Sequence, residues 1–150
     1  MLFRSAERVS KELLKLLVAP DPRPAVRAMA ETGVLARILP EADQPAAFEV
    51  MVGLSDDSAL RLSALLSSDP AKVEAAAKRL RLPNAMRDRL QAAAGGEVAL
   101  ETDARTARAQ IYRLSKPTFV DRVLRAEAIS NRPGAGAALL ELAEIGRAHV

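Results

Sequence analysis

Apolar residues in this chain recur at spacings of three and four, and no run alternates long enough to argue a strand. Proline and glycine interrupt these stretches often enough to keep each helix short. The pattern predicts an all-α protein, a multi-helix bundle of short antiparallel helices in one body or two subdomains. In the first helix Val9, Leu13, Leu16 and Leu17 share a face. Ser5 is its cap, Glu7 suits the dipole in its first turn, and Pro20 and Pro22 end it. Pro24 starts a second helix that stops at Gly33, and a short third carries Val34, Leu35, Ile38 and Leu39. Pro45 opens a fourth. Caps are expected from Asp56, Asp57 or Ser58, from Asp69 before Pro70, and from Thr102 or Asp103. Pro83 and Pro117 begin further helices, and Asn131-Arg132-Pro133-Gly134 reads as a turn before the last one.

Gly95-Gly96 is the clearest break, so we divide the chain into 1–41, 42–94 and 97–150. The expected core is Leu13, Leu17, Leu35, Ile38, Leu62, Leu65, Leu66, Leu90, Ile111, Leu114, Val123, Leu124 and Leu142. Helix follows helix without a fixed period, so tandem repeats are not supported.

A chain of 150 residues buries a sizeable core without staples. It has no Cys, which excludes disulfides and thiolate metal sites and agrees with a cytoplasmic location. No apolar stretch is long enough to span a bilayer, so no membrane role is expected. The single His149 excludes histidine-cluster metal sites and a Ser-His triad. Residues 1–60 hold seven Lys/Arg against nine Asp/Glu, net −2, whereas residues 61–150 hold fifteen against ten, net +5. Most of the cations are arginine, whose planar fork suits phosphate. Two clusters stand out. One is Lys72, Lys78, Arg79, Arg81, Arg87 and Arg89; the other is Arg105, Arg108, Arg113, Lys116, Arg122 and Arg125. Either is a solvated helix face or a phosphate-contacting surface. Phe3, Phe48, Tyr112 and Phe119 are the only aromatics. That scarcity argues for duplex-backbone binding over single-strand stacking, and a half-buried helical Tyr112 is the expected reading.

The opening string resembles a known family. Ser5-Ala6-Glu7-Arg8-Val9, then Gly33-Val34-Leu35 with Ile38-Leu39-Pro40-Glu41, is similar to the junction after the catalytic head of bacterial class II tRNA nucleotidyltransferases, the CCA-adding enzymes and their poly(A) polymerase relatives. Leu60-Arg61-Leu62-Ser63-Ala64-Leu65-Leu66 and Arg79-Leu80-Arg81-Leu82-Pro83-Asn84-Ala85-Met86-Arg87 resemble its middle helices. Ala107-Arg108, Tyr112-Arg113-Leu114 and Phe119-Val120-Asp121-Arg122 resemble a pattern of the alphaproteobacterial-type members. The resemblance implies an RNA-binding neck and body with tRNA as partner; the two basic clusters, read from the residues themselves, are the candidate contacts. It implies a structural, bracing role for Ser5, Glu7, Arg8 and Glu12. Plain capping with an Arg8–Glu12 surface pair is the simpler alternative.

The family's chemistry needs a Gly-Ser loop, an Asp-x-Asp metal pair and a Glu-Asp-x-x-Arg helix, and none of these occurs here. Asp56-Asp57 reads as a helix start. The head that uses magnesium, CTP and ATP is expected before Met1, and a phenylalanine-proline, glycine-rich tail after the last residue. This chain is expected to have no catalytic residue, no metal site and no cofactor of its own. CCA addition and poly(A) addition are not separated by these residues. The alternative from another class is an all-α protein-interaction or scaffold module without an RNA role.

Overall fold

A computed structural model describes residues 5–148, with side chains to residue 145. Phe3 and His149 lie outside the described residues. Ten helices and no strand occur among them, as the spacing predicts. The first seven are α1 (Ala6–Leu17), α2 (Arg23–Glu31), α3 (Val34–Ile38), α4 (Pro45–Leu54), α5 (Ser58–Leu65), α6 (Pro70–Arg79) and α7 (Asn84–Ala94). Then come α8 (Ala104–Leu114), α9 (Lys116–Ser130) and α10 (Ala137–Ala148). None is long and apolar enough to cross a membrane.

Local chemistry sets the helix starts. The side chains of Ser5, Asp57, Asp69 and Asp103 each accept from a backbone N–H in the first turn of α1, α5, α6 and α8. These bonds satisfy donors that a helix cannot pair itself. Proline stands in the first turn of α2, α4, α6 and α9, where its missing N–H costs nothing.

Helix α5 is the axis. Every residue from Ala59 to Leu65 is buried, including Arg61. Around it a main core gathers Leu13 and Leu17 of α1, Val26, Leu35 and Leu39, Phe48 and Val52, and Leu90 of α7. Fully burying a leucine side chain is worth roughly 1.5–3 kcal/mol, so Leu62, Leu65 and Leu66 together anchor this half. A second core holds Val98, Ala107, Phe119, Val123, Leu139 and Ala143. A third cluster joins the two: Ala47 and Met51 of α4, Leu60 and Ala64 of α5, and Ala128 of α9. Alanines there let α4 and α9 approach closely, and α9 also packs on α7 across the Gly95-Gly96 break. Of the expected core, Leu13, Leu17, Leu35, Leu62, Leu65, Leu66, Leu90 and Val123 are buried. Ile38, Ile111, Leu114, Leu124 and Leu142 are half-buried at its edges.

Candidate nucleic-acid interface

Three arginines tie the unit formed by α1–α3 to the rest: Arg27 of α2 pairs at the surface with Glu49 of α4, at 2.5 and 2.6 Å, and Arg61 and Arg79 reach further in. Arg61 is 2% exposed and carries no carboxylate partner among the described residues. Its guanidinium donates to the carbonyls of Leu17 and Ala19, at 2.7 and 2.8 Å, and of Ser55 and Val52, at 2.7 and 3.2 Å. It thereby satisfies the C-terminal carbonyls of α1 and α4 together. Arg79 makes a bidentate pair with Glu41, at 2.6 and 2.8 Å, and reaches the Ile38 carbonyl. Glu41 is held below the usual carboxyl range chiefly by the hydrogen bond from Arg79, against the opposing effect of burial. Gln44 adds bonds to the backbone oxygens of Leu65 and Leu66.

The basic residues fall into two groups that the sequence does not distinguish. Some are occupied internally. Arg87 pairs bidentately with Glu74, which Gln91 also contacts. Arg89 bridges Asp121 on α9 and Asp57, the cap of α5. Its pKa is raised, first by the Asp121 bond, while burial opposes. Asp57 is correspondingly lowered: burial pushes it up, and Arg89 with the helix N–H groups outweighs that. Lys116 reaches Glu144 at 2.5 Å. Arg122 donates to the Ala92 carbonyl and lies over Gly96, where a Cβ would stand 2.7 Å from its Nη1. Arg125, expected as a phosphate contact, is 4% exposed and turned inward among the backbone of Ala93 and Ser63 and the Ser68 hydroxyl. Burial lowers its pKa, partly offset by Glu97.

The others face solvent. Lys78, Arg81, Arg105, Arg108 and Arg113 are exposed, and none has a carboxylate partner among the described residues. Lys72 is also exposed, with Glu41 in its field. Arg81 holds a left-handed φ of 53° at the end of α6. Its N–H and that of Leu82 close the helix on the carbonyls of Lys78 and Ala77. It sits before the N-terminus of α7, which has no side-chain cap.

At the other end, Glu7, Arg8 and Glu12 are exposed on α1, opposite Leu13 and Leu17. The Arg8–Glu12 pair of the simpler alternative does not form; the Ser5 cap on the Arg8 N–H, 3.0 Å, does. Lys11, Lys15 and Arg37 are exposed too, cations the sequence reading passed over. Tyr112 corrects an expectation outright. It is 92% exposed rather than half-buried, because Ala107, Ile111 and Leu114 set the inner face of α8 and place residue 112 outside it.

Among the described residues no three His, Cys, Asp or Glu side chains gather as a bound metal ion would require. Asp57 is already engaged by the α5 N–H groups and Arg89, so these residues do not fit a magnesium pair.

Residues 4–44 match the family described as the probable RNA- and SrmB-binding site of polymerase A. The matched segment is α1–α3 with the loop to Gln44, so it ends at the Arg79–Glu41 junction. The chain therefore carries a region similar to the RNA-binding site of polymerase A. The two basic clusters lie outside that segment. No curated protein and no solved structure matches the chain.

Proposed function

We propose that the chain is an RNA-holding part of a tRNA nucleotidyltransferase of the poly(A) polymerase family, with tRNA as its RNA. The observation that carries this reading is the segment 4–44, similar to a polymerase A RNA-binding site and locked by Arg61 and Arg79 onto a body rich in unpaired arginine. Arginine and lysine on helix faces grip an RNA backbone through phosphates without reading sequence. The surface cations Lys78, Arg81, Arg105, Arg108 and Arg113, with Lys11 and Lys15 on α1, supply that grip. Arg79, Arg87 and Arg89 support it by holding helices in place. Chemistry with magnesium, CTP and ATP belongs to a catalytic head that these residues do not form.

A salt titration of tRNA binding tests the reading. Affinity should fall linearly on a log–log scale, and Arg81→Ala and Arg108→Ala should each reduce the slope by roughly 1, while Arg23→Ala, already paired with Asp21, should not. Failure of tRNA to bind at low salt, or identical slopes for all four proteins, overturns it. A second reading rests on the family description itself, which names SrmB beside RNA. On that reading α1–α3 dock a partner other than RNA, and the titration would show no binding.

A further inference from the structure

Helix α8 divides cleanly. Its inner face is Ala107, fully buried, with Ile111 packed against the second core and Leu114 half-buried at the helix end. Its outer face carries Arg105, Arg108 and Tyr112 at i, i+3 and i+7, which stacks them along one side. Arg113, one position further along α8, is exposed as well. A tyrosine left 92% exposed contributes almost nothing to the core. The three arginines have no carboxylate partner among the described residues. The nearby acids are engaged: Asp103 caps α8, Glu101 pairs with Arg132, and Glu144 with Lys116. Burial, and after it the charge of Arg113, lower the pKa of Arg122 on α9.

We propose that this face of α8 holds an unpaired, single-stranded stretch of RNA, with one base stacked on Tyr112 and the adjoining phosphates on Arg105, Arg108 and Arg113. The inference rests on the RNA-binding reading above and adds a mode to it: a stacking position beside a duplex-gripping surface. Bases of any identity present a π-face, so a lone ring among arginines recognises single strands without sequence preference. A protein partner would call for large apolar side chains around the ring. Of its i−4, i−3 and i+1 neighbours, Arg108 and Arg113 are charged, and Ala109 between them offers a single methyl group.

The chain has one Tyr and no Trp, so its ultraviolet-excited tyrosine emission comes from Tyr112 alone. The experiment titrates the 150-residue chain with a short oligouridylate and, separately, with a blunt RNA duplex. Oligouridylate should quench the emission. Tyr112→Ala should weaken oligouridylate binding roughly 5- to 100-fold, with Tyr112→Phe close to wild type. Duplex affinity and the melting temperature should be unchanged in Tyr112→Ala. If oligouridylate binds without quenching, or binds Tyr112→Ala as tightly as wild type, the proposal is overturned. Binding of the duplex with no binding of oligouridylate also overturns it and leaves the RNA-binding reading standing. No binding of either RNA at low salt removes both.

Discussion

The guanidinium of Arg61 lies 2.7 Å from the carbonyl oxygen of Leu17, so a charged side chain in the middle of the most buried helix closes the end of the first one. The two residues are 44 positions apart in sequence. This bond and its companion to Ala19 make the orientation of α1 a property of α5, and the two to Ser55 and Val52 bring in the end of α4.

Replacing Arg61 by Leu should therefore cost more than a surface arginine would. The carbonyls of Leu17, Ala19, Ser55 and Val52 lose their shared donor, and some are buried. We expect a loss of about 3–5 kcal/mol, read as a fall of about 10 °C in melting temperature. A variant that melts within a degree or two of wild type would show that water replaces the guanidinium.

Glu41 should make the docking of α1–α3 acid-sensitive. Its carboxyl titrates below the ordinary value of 4.5 in the folded chain, so the unfolded chain takes up the proton first. The stability from this pair is fully present above that value and is lost as pH falls through the lower folded-state pKa. Urea unfolding at neutral pH should find Glu41→Gln weaker by roughly 1 kcal/mol. The gap should close in acid. A gap that persists unchanged at low pH would count against the mechanism.

Arg81 sets stability against binding. Its left-handed φ of 53° suits glycine better than any side chain. Arg81→Gly should raise stability by about 0.5–1 kcal/mol, since relief of strain exceeds the added entropy of the unfolded chain. The same change removes an exposed cation, so tRNA affinity should drop. Thermal melts and the salt titration on one sample check both signs, and a variant that is neither stabilised nor weakened in binding refutes the argument.

Gly136→Ala should be harmful. A Cβ there would collide with Val123 Cγ1 and lie 2.8 Å from the Glu127 Oε2. Val123 is stiff and wholly buried, so it cannot give way cheaply. We expect a loss of about 1–3 kcal/mol by thermal melting.

Helix starts were legible because caps and first-turn prolines act over a few residues: Ser5, Asp57, Asp69 and Asp103 serve where the pattern puts them. The core was legible from spacing, with edge positions such as Ile38 and Leu114 less enclosed than expected. The state of each arginine was not. Arg79 pairs 38 positions away, and Arg89 pairs 32 positions away with both Asp57 and Asp121, so a basic run in sequence carries no record of which charges are neutralised. Arg125 was hidden for the same reason. Arg61 had a signal that went unread, a lone charge inside the apolar run Leu60–Leu66. Tyr112 had one too, since it falls outside the stripe of Ala107, Ile111 and Leu114.

Glu127 is 1% exposed, and its two carboxylate oxygens accept the N–H groups of Gly134 and Gly136, each at 2.8 Å. Its own carbonyl accepts from Arg132. A surface loop ordinarily tolerates inserted residues, because doubling its length costs only about 0.6 kcal/mol of closure entropy. The connection 131–136 has no such latitude. One carboxylate measures the separation of two amides along it, so a single inserted or deleted residue would strand a buried charge. In a library of random insertions this loop should stand out as a gap, although it looks in sequence like the most permissive stretch of the chain.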